Sequence, residues 1–212
     1  MGVLESLSLA LGTAWTSGIN LYATIAALGI AGRMEMIQLP PGLQILTDPL
    51  VIGMACVMYA IEFFADKVPY VDNAWDILHT FIRVPAGAIL AARSLGTVNP
   101  ALELAALLAG GGVALAAHGT KATLRLAINV SPEPFSNWLA SISEDFAVLG
   151  GIWLVFNHPL IMLVLVLAFL ALAAWLIPKL FRLARRGFQA LRARLRRKEP
   201  PQPVAGTNAP SA

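Results

Sequence analysis

The stretch 146-FAVLGGIWLVFNHPLIMLVLVLAFLALAAWLIP-178 decides the fold class, because it is strongly apolar and carries no formal charge. As a single helix it would be about 50 Å long, whereas the hydrocarbon core of a bilayer is about 30 Å thick. Asn157-His158-Pro159 is a turn signal near its middle. The stretch therefore predicts two membrane helices. The first is too short unless it extends back through Glu144 and Asp145 towards Trp138, which brings both carboxylates to membrane depth.

Four further spans follow from the spacing of the charges. The second apolar run is uncharged only from Pro49 to Ile61, about 20 Å of helix, so we expect it to continue through Glu62 and Asp66. The first span is interrupted near Asn20, and the third contains Arg83. The predicted bounds of the first, third and fourth spans are 7–31, 74–92 and 101–117.

Composition excludes a water-soluble fold, since 58% of the residues are hydrophobic and only 13% are charged. The charge is divided unevenly. Residues 179–199 carry nine Lys/Arg and one acid, while the rest of the chain carries six Lys/Arg and eleven acids. The excess of positive charge is thus confined to the tail, which argues against a folded nucleic-acid-binding face. We interpret 179–199 as an amphipathic helix lying on anionic phospholipid, and 200–212 as disordered.

The basic tail also predicts the orientation. By the positive-inside rule it puts the C-terminus in the cytoplasm, and an even number of spans then puts the N-terminus there as well. The expected protein is all-α and multi-pass, with about six membrane spans within residues 1–178. Residues 1–97 and 98–178 could form two inverted three-helix repeats, since Glu62-Phe63-Phe64-Ala65 resembles Glu144-Asp145-Phe146-Ala147, and Gly18-Ile19-Asn20 more weakly resembles Gly119-Thr120-Lys121.

Charged groups within the predicted spans are the main functional candidates, because each costs about 2.5–3.5 kcal/mol on insertion scales and so is normally paired or faces a cavity. Glu62 and Asp66 are spaced i,i+4, and Asp76, His79 and Arg83 are spaced i,i+3,i+7. The members of each set therefore lie on one helix face. We expect a polar cavity between the second, third and fifth helices that binds a cation or relays protons, or else a structural ion pair. The candidates are Glu62, Asp66, Asp76, His79, Arg83, Glu144 and Asp145, with Asn20 and Tyr22 as polar lining.

Two other motifs leave alternatives open. His118, Lys121 and Arg125 form a basic face that suits a phosphate or a lipid head group, or else is a positive-inside flank. Asp72 and Asp76 match the D-x3-D end of the CDP-alcohol phosphotransferase motif, but the preceding D-G-x2-A-R is absent, and a capped turn explains Asp72 equally. We therefore expect no catalytic residues and no cofactor, and leave metal binding open.

Four segments together resemble a known family. They are Gly18–Thr24, Glu62–Pro69, Asp72–Asp76 and Ser131–Asn137. The chain is similar over about residues 5–175 to the bacterial membrane proteins grouped as domain of unknown function 4126. The resemblance implies a protein of the bacterial inner membrane, but the family has no established activity, substrate or catalytic residue to carry over.

These observations favour a small transporter or channel-like protein that uses intramembrane carboxylates for cation or proton coupling. The alternatives are a protein that handles phospholipid, as a scramblase, flippase or lipid-phosphate enzyme, and a non-catalytic membrane scaffold. The expected partners are the bilayer and a small ion or lipid, without nucleic acid. Whether the protein is a homo-oligomer is left open.

Overall fold

The computed structural model describes residues 2–68, 71–129 and 134–196, and within these ranges the chain forms helices and no strand. Seven α-helices and one 3-10 helix follow in order. They are α1 (Val3–Ile19), α2 (Leu21–Arg33), the 3-10 helix (Pro41–Thr47), α3 (Pro49–Ala65), α4 (Val71–Ser94), α5 (Pro100–Asn129), α6 (Pro134–Asn157) and α7 (Pro159–Arg196).

The first apolar stretch breaks at Asn20, as predicted, and it forms two antiparallel helices, α1 and α2. Ser6, near the start of α1, lines the same cavity as Arg93 at the end of α4. α2 starts beside the middle of the bundle, where the Tyr22 hydroxyl lies 3.1 Å from His79 Nε2. It ends beside the 3-10 helix, where Arg33 donates to the Thr47 carbonyl. The helices α1 and α2 are therefore a hairpin whose open side faces the end of α4.

The hairpin and the later helices define two ends of the bundle. At the charged end, α3 and α5 finish and α4 and α6 begin. At the loop end, α4 finishes, α5 begins, and residues 38–42 and 93–97 surround a cavity of about 560 Å³. Because both α1 and α2 have their outer ends here, the hairpin enters and leaves the bundle from the loop end.

Helix α1 is the centre of the core, and residues 12–20 are buried on every side. Glycines allow this close packing. A Cβ on Gly87 of α4 would lie 2.5 Å from Ala114 Cβ of α5 and 2.8 Å from Ser17 Oγ of α1. Gly151 of α6 packs in the same way against Thr16. Small residues thus bring four helices into backbone-level contact, as is common in membrane bundles.

The predicted extension of α3 through Glu62, the extension of α6 back past Glu144 and the break after Asn157 are confirmed, although α3 ends at Ala65 and Asp66 is its C-cap. Helix α3 begins after Asp48, whose side chain caps the Leu50 amide, and it continues through Glu62 as its short apolar run requires. The 3-10 helix before it makes an angle of 68° with it. Helix α6 ends at Asn157, and it extends back past Glu144 and Asp145 to Pro134.

The prediction for α5 was too short. We expected a span over 101–117 followed by a basic face that either binds a phosphate or is a positive-inside flank, whereas the helix continues to Asn129. His118, Lys121 and Arg125 lie in its second half, and each is at most 4% exposed. The physical reason is that acidic side chains of the neighbouring helices compensate these cations, so they can be buried as pairs rather than solvated.

The outer surface is apolar. Large side chains such as Leu50 and Phe64 on α3 and Leu108 on α5 are about 70% exposed. Among the residues that the structure describes, three helices are long and apolar enough to cross a membrane, over Pro100–Leu126, Phe135–Asn157 and Pro159–Leu176. A fourth candidate results if the bent pair Pro41–Thr47 and Pro49–Ala65 is counted as one span. The chain is therefore a helical membrane protein.

Helix α7 runs from Pro159 to Arg196 and contains Pro178. A second unit of the chain begins at residue 174. In it, Lys179 Nζ lies 3.4 Å from the centre of the Trp175 ring. The side chains of 180–196 and the predicted disorder of 200–212 lie outside the described part of the chain.

Candidate functional site

A buried charge cluster occupies the charged end of the bundle, and four helices contribute to it. It joins five carboxylates to three cations by ion pairs of 4.0 Å or less. Its members are Glu62 and Asp66 of α3 and its C-cap, Asp72, Asp76 and Arg83 of α4, Lys121 and Arg125 of α5, and Glu144 of α6. The two residue sets that the sequence suggested separately, a carboxylate cavity and a basic face, are therefore one site.

Arg83 anchors the inner part of the cluster and is fully buried. Its Nη2 lies 2.6 Å from Glu62 Oε1, and its Nη1 lies 3.3 Å from Asp76 Oδ1. The same Nη1 donates to His118 Nδ1 at 3.1 Å. A guanidinium has no acceptor, so His118 Nδ1 must be the unprotonated nitrogen and Nε2 carries the proton. Arg83 thereby holds His118 in the neutral form.

Arg125 anchors the outer part. Its Nε and Nη2 donate to the two carboxylate oxygens of Glu144 at 3.0 and 2.8 Å, a bidentate pair. Its Nη2 also contacts Asp66 Oδ2 at 3.1 Å, and its Nη1 donates to the Asp66 carbonyl oxygen. Bidentate guanidinium–carboxylate pairs are among the strongest hydrogen-bonded pairs in proteins. Arg125 therefore ties α5 to both α6 and the end of α3.

Lys121 joins the two parts. Its ammonium lies 3.3 Å from Glu62, 3.3 Å from Asp66 and 3.1 Å from Glu144. An ammonium donates three hydrogen bonds, so these three carboxylates match its full capacity.

The cluster holds more negative than positive charge. Five carboxylates and three cations give a formal charge of −2 when the histidines are neutral. Within the described part of the chain, Glu62 Oε2, Asp66 Oδ1 and Asp76 Oδ2 are buried and accept no hydrogen bond. Buried anionic oxygens without partners are costly. Additional positive charge, supplied by protons or by a cation, would therefore stabilise the cluster.

The remaining predicted residues lie around the cluster rather than in it. Asn20 is 2% exposed, and its Oδ1 caps α2 by accepting from the Ala23 amide at 2.9 Å, so the contacts give it a structural role. Tyr22 bonds to His79, whose Nδ1 lies 2.8 Å from the Trp75 carbonyl oxygen. Asp145 accepts from the Tyr59 hydroxyl at 2.9 Å.

Sequence reasoning missed two residues. Asp72 was interpreted as a cap or as part of a phosphotransferase motif, yet it is fully buried, with Oδ2 4.0 Å from Arg125 Nη1. Its signal was present, because Asp72 lies four residues before Asp76 and so shares its helix face. Tyr59 gave no such signal. No group of three or more His, Cys, Asp or Glu side chains placed to hold a metal occurs among the residues the structure describes.

Comparison with known proteins gives one finding. Residues 7–179 match the model of a domain of unknown function, DUF4126. The chain belongs to this family. The match covers every residue of the buried charge cluster. No curated protein and no solved structure matches the chain.

Proposed function

We propose that this DUF4126 protein is a small ion-coupled membrane transporter whose buried charge cluster takes up protons or a cation. The observation that carries the proposal is the formal charge of −2 on a set of eight buried groups. Removing an ion from water costs several kcal/mol even after relaxation, and attraction between ions offsets this only when the geometry is good and the remaining lone pairs are hydrogen-bonded, so an uncompensated buried charge is strongly destabilising. Two protons or one bound cation would bring the cluster to balance or near it.

The position of the cluster supports coupling rather than packing alone. Glu62 and Arg83 on α3 and α4 would satisfy one another as a pair. The addition of Lys121 between three carboxylates, and of Arg125 and Glu144 beyond them, extends the charges from the core towards a cavity beside Glu144. A series of neighbouring carboxylates and cations that can exchange ion-pair partners is suited to moving a proton or a cation through the membrane.

For the orientation, we propose that the charged end faces the cytoplasm. Within residues 2–173, Met162 near the start of α7 lies beside Gly12 of α1, and Phe169 further along α7 lines the same cavity as Lys121. Helix α7 therefore runs towards the charged end. The nine cations of residues 179–199 follow it in the chain, and such cations mark the cytoplasmic side. Because α1 begins at the loop end, the proposed N-terminus faces the other side, unlike the sequence-based expectation.

The hairpin changes the proposed number of crossings as well. A re-entrant α1–α2 pair followed by α3 to α7 gives five crossings rather than six. The inverted repeat stays a prediction: four α-helices precede residue 97 and three follow it in the described chain, and Gly18–Asn20 lies at a helix break while Gly119–Lys121 lies inside α5.

The phospholipid alternative is less well supported by the site. Lys121 and Arg125, which would hold a phosphate, are each in contact with three carboxylates. A phosphate would have to displace these partners from a cluster that is already negative. For the scaffold alternative, no contact in the described residues argues specifically.

Proton flux into proteoliposomes tests the proposal, measured with an internal pH dye under an imposed membrane potential. We expect flux above that of empty liposomes for the wild type and its loss in Glu144→Gln. Glu103→Gln, at the start of α5 outside the cluster, is the matched control and should keep the flux. If Glu144→Gln does not fold by size-exclusion chromatography, Asp76→Asn replaces it. Wild-type flux equal to empty liposomes, or unchanged flux in the cluster variants, would overturn the proposal.

A further inference from the structure

A cavity of about 450 Å³ lies against the buried charge cluster, between α5, α6, α7 and the end of α1. Its volume falls within the range of about 300–1,000 Å³ that is usual for small-molecule sites. The proposed transport function does not by itself say what this cavity holds.

The cavity is lined mainly by apolar side chains. Ile19, Leu124, Leu139 and Phe169 contribute to its walls, and two of its described lining residues, Lys121 and Glu144, are charged. Apolar walls around a few convergent polar groups are the usual composition of a ligand site. A ligand that fits this lining has an apolar body and one charged group.

The opening of the cavity faces the lipid side of the bundle. Leu124 is 54% exposed and Leu139 is 56% exposed, so both side chains belong to the outer apolar surface as well as to the cavity wall. A ligand already dissolved in the membrane could thus enter between α5 and α6 without passing through water.

The sign of the ligand's charge follows from the surroundings of Lys121. Three carboxylates lie within 3.3 Å of its ammonium, so its charge is more than compensated. The Glu144 side chain is 12% exposed, whereas the other four carboxylates of the cluster are at most 3% exposed. Arg125 and Lys121 already contact the Glu144 carboxylate, but the eight groups of the cluster together still carry a formal charge of −2. The more exposed of the two charged groups in the cavity wall is thus an acid within a cluster of net negative charge, and this net charge favours a cation there.

We propose that this cavity binds a lipophilic organic cation, whose positive group meets Glu144 while its apolar body contacts Leu139 and Phe169. The proposal rests on the proposed function, since it names the substrate class of the same site. A bound cation supplies the positive charge that protons supply in its absence, so binding should release protons from the cluster.

Equilibrium dialysis of the purified full-length protein in a neutral detergent tests this with tetraphenylphosphonium, and with tetraphenylborate as a probe of the same shape and opposite charge. We expect saturable binding of the cation at about one per chain, and binding of the anion at least about tenfold weaker. Glu144→Gln should weaken cation binding at least about tenfold.

Filling the cavity gives the second arm. Ala140 lines it, so Ala140→Phe should abolish binding of the cation, while Ala109→Phe on the exposed side of α5 should leave binding unchanged. If Ala140→Phe does not fold, Ser143→Arg puts a positive charge in the cavity wall and should have the same effect. Equal binding of both probes would identify an apolar groove for acyl chains, and it would overturn the proposal, as would cation binding that survives in Ala140→Phe.

Proton release in unbuffered solution separates this proposal from the one on which it rests. Binding that releases protons supports both. Binding without proton release, together with absent proton flux, overturns ion coupling but leaves the cation site in place. Proton flux in proteoliposomes without saturable binding of the cation overturns the cation site and leaves the coupling in place.

Discussion

The two ends of the bundle treat their charges in opposite ways. At the loop end, Arg33, Glu35, Asp48 and Arg93 are exposed. At the charged end, eight ionisable side chains are withdrawn from the surface and pair with one another. Arg83 and Arg93 lie on the same helix ten residues apart, yet one is fully buried between two carboxylates and the other is exposed.

The difference shows what kind of constraint each end imposes. Exposed charges at the ends of membrane helices contact water and head groups, and each can change without affecting the others. In the cluster, removing one charge leaves its partners buried and uncompensated. Mutations should therefore act individually at the loop end and collectively at the charged end.

The largest expected effect concerns the sidedness of the two ends. In a Cys56→Ala background, Gly2→Cys and Thr97→Cys should react with a membrane-impermeant thiol reagent from the same side, because both positions lie at the loop end. Val68→Cys, at the charged end, should react only from the opposite side.

A single first crossing would give a different pattern, with Gly2→Cys and Val68→Cys labelled together. That result would contradict the hairpin. Labelling of all three in opened membranes is the control for accessibility.

The next effect concerns stability. Arg83→Leu leaves Glu62 and Asp76 without their guanidinium partner, and we expect it to lower the free energy of unfolding in detergent by about 3–5 kcal/mol. Arg93→Leu, on the same helix at the loop end, should change it by no more than about 0.5 kcal/mol. Thermal unfolding followed by circular dichroism gives the comparison.

A double variant sharpens this result. Arg83→Leu combined with Glu62→Leu removes both members of the pair, and it should be more stable than Arg83→Leu alone because one fewer buried charge is left uncompensated. Equal melting temperatures for Arg83→Leu and Arg93→Leu would remove the distinction between the two ends.

The smallest effect compares two helix caps. Asn20 Oδ1 accepts from the Ala23 amide, and Asn99 Oδ1 accepts from the Leu102 amide, each at 2.9 Å. Loss of such a cap costs about 0.5–2 kcal/mol. Asn20→Ala should fall near the upper limit because the freed amide is buried, and Asn99→Ala near the lower limit because water replaces the cap. The same unfolding measurement decides, and a larger cost for Asn99→Ala would contradict the assignment.

Much of the helical architecture could be predicted from charges and turn residues. The uncharged run 146–178 required a break, and Asn157-His158-Pro159 located it; the short run before Glu62 required α3 to continue. The hairpin could not be predicted, because the length of 7–31 suits either one crossing or two shorter helices, and only packing against α4 and the 3-10 helix decides between them.

The site was predicted in parts. Spacing identified which charges share a helix face, but it carries no information about which faces meet. Lys121 and Arg125 therefore resembled a solvated flank, since a cation beyond an apolar run has the same sequence pattern whether it meets water or a carboxylate. Asp72 was missed for the same reason. An aspartate that caps a helix and a buried aspartate that pairs with Arg125 have the same sequence pattern, and they differ only in which side chain of the folded protein lies opposite.

The burial of α1 on every side has a consequence for biogenesis. The surfaces that enclose it belong to α4, α5 and α6, which the ribosome completes only after the first helix has left the exit tunnel. The first helix to be made is therefore among the last to reach its final surroundings. Its hydroxyl side chains at Thr13, Thr16 and Ser17 donate to backbone carbonyls of α1 itself, so these groups have partners before the later helices arrive. A chain that stops before α6 should remain bound to that machinery or be degraded.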